Sequence, residues 1–324
     1  MKYIRSLLIV LVGLVLRGAK KAPVSTAPSS YAKSDGNVDS PADLSKKGWK
    51  TALKRTKQAL KDKNLSMMAA GLAYYTTLTF FPAALGVASL YTSVAGPQAL
   101  LGLLSDMELV VPPAIQDLLQ TQLSPLARAG QTSLGVAALV SLAAVLWTTS
   151  GGIQNLIKAT NIAYDVEESR NFIKLRLLSI ALSAGMLLFG AVVLTLLLLQ
   201  GDALHALGVP TILSDIFPIL RWPLLIAVIS IALAVVYRYA PNREDPKWSW
   251  VSWGATAATI IWLIGTALFF FYAQNFGNFN KSYGTFASII ILMVWFNLSS
   301  LIVLVGAQVN RKLEDLTGAD IPAD

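Results

Sequence analysis

No cysteine occurs anywhere in the 324 residues, and there is a single histidine, His205. The first absence excludes disulfides, zinc–thiolate centres and cysteine nucleophiles. The second leaves any histidine metal cluster or Ser/His/Asp triad resting on one residue. Charge is also scarce. Only 14% of residues are Asp, Glu, Lys or Arg, against about 25% in soluble domains. Hydrophobic residues make up 55%, and the mean hydropathy is +0.58. That balance points to a membrane protein. No nucleotide-binding P-loop is present, so ATP would have to come from a partner. No cofactor-binding or metal-binding motif is found either.

Six long apolar segments are present, at 67–94, 132–154, 177–199, 222–237, 250–273 and 283–309. The fourth is short and has room to begin one turn earlier. Their central stretches lack Asp, Glu, Lys, Arg and His, which removes the usual intramembrane acid of a proton relay. Sodium held by carbonyl and Ser/Thr/Asn oxygens stays open. Lipid cannot satisfy backbone polar groups, so each segment must be helical. The expected fold is an all-α integral membrane protein, a six-helix transmembrane bundle over 67–309.

The charges that exist are placed unevenly. With residue 66 inside, the inner segments hold seventeen Lys/Arg and the outer loops three: Arg128, Arg221 and Lys281. The positive-inside rule then makes both termini cytoplasmic. Much of the +8 net charge is therefore topology, and a nucleic-acid partner is not expected without a groove-reading motif. The outer loop 95–131 carries an amphipathic helical pattern, with Ile115, Leu118, Leu119, Leu123 and Leu126 on one face. It reads equally as a lid or as a solvated hairpin on the helix ends.

Before the bundle, residues 1–17 hold an apolar core of about ten residues, half of what a span needs. They read as a weak anchor, an interfacial segment or an extension upstream of a later start. Residues 18–45 have the composition of a disordered linker. Residues 46–66 are basic, with Trp49, Leu53 and Leu60 at helical spacing. That suggests a helix on an anionic cytoplasmic membrane face. Residues 310–324 form a short cytoplasmic tail.

Polar residues inside the spans are the candidates for function. In the first, Tyr74 and Tyr75 need hydroxyl partners if buried. Pro82 crowds the carbonyl of Leu78, predicting a kink eased by Thr76 or Thr79. Ala69 and Ala73 permit close helix contact. In the second, Trp147, Gly151, Gln154 or Asn155, Lys158, Asn161 and Asp165 recur at three- and four-residue steps, a polar stripe able to line a vestibule or simply to reach water. Gly151 and Gly152 weaken the helix and allow close approach. After the fourth, Tyr237, Tyr239, Trp248 and Trp250 form an aromatic belt, with a turn at Pro241 and Asn242. In the fifth, Gly254 and Ala258 mark a contact face. In the sixth, Asn297, Ser299, Ser300 and Gln308 either pack helices or line a path. The strip "QNFGNFNKSYG" before it has the Gly and Asn content of a tight turn.

Four stretches in order, "AAGLAYYTTLTFFP", "W…GGIQNLIKATNIAYDVEESR", "YRYAPNRE…W…W…GA" and "Y…F…YGTFASIIILMVWFNLSSLIVLVGAQVN", resemble the YihY/BrkB family of bacterial inner-membrane proteins, once labelled ribonuclease BN. The resemblance covers nearly all of 60–312. It implies six transmembrane helices with both ends inside, and transport or export of a solute or lipid. It carries no established catalytic residues. The matching positions are Tyr74, Tyr75 and Pro82; Trp147, Asn161 and Tyr164; and Tyr283, Gly284, Trp295, Gly306 and Asn310. Ribonuclease activity is disfavoured on chemistry, because metal-assisted cleavage needs clustered carboxylates or His. The inner loops offer only acids interleaved with Arg and Lys. The expectation is a non-enzymatic inner-membrane transporter, exporter or lipid translocator for an amphipathic substrate. The alternative is a structural or regulatory membrane protein. The sequence gives no oligomeric state.

Overall fold

The computed structural model describes residues 41, 44–95, 121, 136–198, 208, 210–243, 248–275 and 285–317. The N-terminal segment, most of the linker, the outer-loop amphipathic pattern and the strip holding Tyr283 and Gly284 lie outside the described residues. Seven helices are described: α1 Lys46–Asp62, α2 Leu65–Ala95, α3 Val136–Ala163, α4 Phe172–Leu198, α5 Thr211–Tyr239, α6 Trp248–Asn275 and α7 Thr285–Thr317.

Four of them are long and apolar enough to cross a membrane: α4, α5, α6 and α7. α2 and α3 have 31 and 28 residues, about 47 and 42 Å at 1.5 Å per residue. Each of the six long helices packs on the next in chain order, and α7 returns to α2 and closes a ring. α7 also reaches α3 and carries α1 on its final turns. It is the most enclosed of the four: 33% of its most apolar stretch is buried, against 11–22% in the others. Large apolar side chains such as Leu188, Ile231, Ile264 and Leu268 stay exposed on the outside, as lipid-facing surface requires.

Helix contacts in lipid depend on close approach more than on apolar drive, and small residues mark them here. Ala69, Ala73, Ala159, Ala163, Ala255, Ala258 and Ala307 are all buried. A Cβ on Gly306 would sit 2.7 Å from Cβ of Ala258 and 3.1 Å from the Gly254 carbonyl. Gly254 and Ala258 are thus the α6 face against α7, as their spacing predicts.

Three expectations are corrected. α5 begins at Thr211, eleven residues before the expected segment, and runs through Pro218 and Pro223. α2 spans Leu65–Ala95 with Pro82 inside it, in line with the expected segment, but the threonine roles differ. Neither threonine serves the Leu78 carbonyl: Thr76 Oγ1 donates to Leu72 O at 2.8 Å, and Thr79 Oγ1 to Tyr75 O at 3.0 Å. α1 is amphipathic, but the face it buries is Gly48, Ala52, Thr56 and Ala59. Leu53 is left 56% exposed. Small side chains let α1 lie close on Val309, Leu313 and Leu316 of α7, and Trp49 meets Trp253 with ring centroids 5.6 Å apart.

Candidate functional site

Polar side chains gather at the end of the bundle that carries α1. α3 ends at Ala163, and Asp165 turns the chain with a φ of 58°. The loop then runs to Asn171 and is stitched to the α5–α6 turn. Asn161, 4% exposed, donates Nδ2–H to Glu168 Oε2 at 2.9 Å, and its Oδ1 accepts from the Asn242 backbone N–H at 2.8 Å. Arg170 holds Glu168 through Nε and Nη2, both at 2.7 Å, and Nη2 also donates to Ala240 O at 2.8 Å. Burial alone would raise the Glu168 pKa. The bonds and attraction of Arg170, with the Asn161 amide, outweigh it and hold the carboxyl below its ordinary value.

Deeper in, Arg243 and Glu314 form an ion pair at 2.6 Å, with side chains 5% and 3% exposed. Arg243 lies 4.0 Å from the centroid of the buried Tyr164 ring, a desolvated cation–π contact. The Tyr164 hydroxyl accepts from Asn310 Nδ2 at 3.0 Å. Asn310 also bridges α6: Nδ2 donates to Val251 O at 3.2 Å, and Oδ1 accepts from Gly254 N–H at 2.7 Å. Tyr237, fully buried, donates its hydroxyl to Val303 O at 2.8 Å. Gln308 Nε2 donates to Ala163 O, and its buried Oε1 has no partner among the described residues.

Lys63 closes the same end. Its ammonium donates to Ile162 O at 3.3 Å and Ala163 O at 3.2 Å, and pairs with Asp165 at 2.7 Å. A cation on the last carbonyls of α3 offsets the helix dipole. Burial lowers the Lys63 pKa, and Asp165 opposes that shift.

The structure therefore brings Asn161, Tyr164, Gly306, Gln308 and Asn310 into one layer. It does not bring the other sequence candidates there. Trp147 and Lys158 of the supposed stripe point outward, while Asn161 turns in. Arg176 covers the Trp147 ring at 3.8 Å and donates to its carbonyl at 3.1 Å. Asn155 bonds back to Gly151 O at 3.1 Å. Tyr74 and Tyr75 are 51% and 45% exposed, so the need for buried hydroxyl partners does not arise. Gly152 faces Thr79, whose Oγ1 would stand 3.0 Å from an added Cβ. Gly151 meets nothing within 4 Å. Trp295 donates to Thr266 Oγ1 at 3.4 Å. Ser300 is buried and Asn297 partly exposed. Tyr237, expected in an aromatic belt, belongs to the layer instead. Tyr239 and Trp248 do pair, at 6.4 Å, with Arg238 4.8 Å from the Trp248 ring.

Sequence reasoning missed Glu168, Arg170, Arg243 and Glu314 as site residues. The first three lie inside the motif stretches, but their charges read as solvated loop charges. Among the described residues no group of three His, Cys, Asp or Glu is placed to hold a metal.

The profile of the family described as virulence factor BrkB matches residues 56–323. A Bacillus subtilis protein named as ribonuclease-like, YfkH, is 32% identical over 253 residues, 76% of this chain and 88% of that protein. A UPF0761 membrane protein of Haemophilus influenzae is 22% identical over 264 residues, 79% of this chain and 92% of the relative. A UPF0761 membrane protein of Tolumonas auensis is 31% identical over 184 residues, 56% of this chain and 57% of the relative. No solved structure matches.

Proposed function

Since the chain belongs to the virulence factor BrkB family, we propose that this membrane protein is a non-enzymatic transporter, exporter or lipid translocator of the bacterial inner membrane. Its six long helices span the bilayer, and both termini are cytoplasmic. The α1 end is then the cytoplasmic end, and the polar layer there is the gate. The substrate is an amphipathic solute or a lipid, because the candidate polar groups nearer mid-span are hydroxyls and amides without fixed charge. The exposed lysines of α1 face anionic lipid at the cytoplasmic surface.

The observation that carries this reading is the buried Arg243–Glu314 pair within the hydrogen-bonded layer. A buried ion pair is a poor route to stability, because desolvation offsets much of the attraction. The orphaned Gln308 Oε1 adds a further cost. A layer with these costs, drawing in four of the long helices and two loops, suits an element with two arrangements. The structural or regulatory alternative draws on the opposite feature, that most of these groups find partners within the chain. Comparative lipid and metabolite profiling of membrane and medium, with and without the protein, separates the two. Transport predicts a reproducible shift in at least one amphipathic species. No shift would overturn it.

A further inference from the structure

Two of the three carboxamides on α7 point into the bundle: Gln308 and Asn310 are fully buried, with Gln308 Nε2 bonded to α3 and Asn310 to α6. Asn297 is different. It is partly exposed, and its side chain has no hydrogen-bond partner among the described residues. It lies three residues after Val294, seven after Ile290 and four before Leu301, so all four share one helix face. Ile290 and Val294 are 52% and 49% exposed, and Leu301 is partly exposed. The Ile290–Val294 part of this face is open, and Leu301 below it is shared with the core.

Asn297 lies within the apolar stretch Ala287–Leu316. It is about 18 Å along the helix from Thr285 and about 21 Å from Arg311, at 1.5 Å per residue. Headgroups at either surface are out of its reach. Hydrocarbon offers it neither donor nor acceptor, and an unpaired amide there is costly. A water-filled path would supply partners, but the exposed or partly exposed residues beside it, Ile290, Val294 and Leu301, are apolar, and Ser300, one turn on, is buried away from that surface. A carboxamide carries both a donor and an acceptor and so complements itself. A two-fold axis places the same residue of two copies side by side.

We propose that the chain forms a homodimer in the membrane through the outer face of α7, with the two Asn297 carboxamides hydrogen-bonded across the axis. Ile290, Val294 and Leu301 supply the surrounding packing, as polar and apolar groups do at membrane helix contacts. The proposal stands apart from the transport reading, since it concerns assembly alone.

The absence of cysteine makes the full-length chain its own background for a test. Single substitutions Val294→Cys, Asn297→Cys and Leu301→Cys are oxidised in native membranes with copper phenanthroline and run on non-reducing gels. A disulfide needs Cα atoms within about 7 Å. A dimer band at one or more of these positions is expected, and none at Ile264→Cys or Leu188→Cys, which face out from α6 and α4. With Val294→Cys or Leu301→Cys as reporter, adding Asn297→Leu lowers the yield roughly three- to tenfold, and Asn297→Gln retains it. Bands no stronger than at the control positions, or a yield unmoved by Asn297→Leu, overturn the proposal. So does labelling of Asn297→Cys by a hydrophilic maleimide without cross-linking, which would place the side chain in a water-filled path. A cross-link to a product of another mass also overturns it.

Discussion

Arg243 and Glu314 pair at 2.6 Å at a depth where both side chains are almost closed to water. Removing one leaves the other buried, and such a loss costs about 3–5 kcal/mol. Glu314→Ala is therefore expected to lower the thermal midpoint of the detergent-solubilised protein sharply. The double replacement Arg243→Met with Glu314→Leu, which removes both charges, is expected to recover most of that loss. Glu168 makes a pH-dependent contribution. Its folded pKa lies below the unfolded value, so its stabilisation is present above the ordinary carboxylate pKa of about 4.3. It fades as pH falls from there through the folded value. A stability scan should show the gap between the protein and Glu168→Gln closing on acidification. A gap constant from neutral pH to pH about 3 would count against the Arg170–Glu168 account.

At the scale of elements, the α6–α7 crossing is where space is tightest. A Cβ on Gly254 would run into the Asn310 side chain and come within 2.6 Å of the Gly306 carbonyl. Neither a backbone carbonyl nor a triply bonded asparagine yields easily. Gly254→Ala and Gly306→Ala are expected to cut membrane abundance or melting temperature, whereas Gly71→Ala, with open space around it, is expected to be neutral or slightly stabilising through helix propensity. Equal effects at all three would contradict the packing described. The contact was legible in the sequence as small residues four apart. The helices were legible as apolar runs, because lipid leaves the backbone little alternative to helix. The start of α5 was not. Pro218, Arg221 and Pro223 interrupt its apolar run, yet the helix continues through them. The docked face of α1 also escaped notice. Trp49, Leu53 and Leu60 suggested a helix lying on the membrane surface; Trp49 and Leu60 pack on the bundle, and the residues buried in that contact are small ones such as Gly48 and Ala52.

For the whole molecule, the ring of helices and its polar end depend on partners far apart in sequence. Arg243 and Glu314 are separated by 71 residues, and Asn310 and Tyr164 by 146. Charge on a loop reads the same whether it ends in water or against a buried carboxylate, so no local pattern shows the pairing. Asn161, Tyr164, Gln308 and Asn310 could be picked out singly, but their assembly into one layer is a product of the fold. Charge placement does bear on orientation. Seventeen basic residues on one side predict that reporter fusions after residue 66 and at the C-terminus both report cytoplasm. A periplasmic signal from either would invert the assignment of the gate.

Transport controlled by that layer is the central claim. Its most direct measurement compares lipid and metabolite profiles of three strains: one lacking the protein, one with it, and one with Arg243→Met/Glu314→Leu at the same membrane abundance. The account predicts that an amphipathic species shifts when the protein is present and that the double variant does not reproduce the shift. Three indistinguishable profiles would contradict transport, and a double variant matching the unaltered protein would contradict the gate.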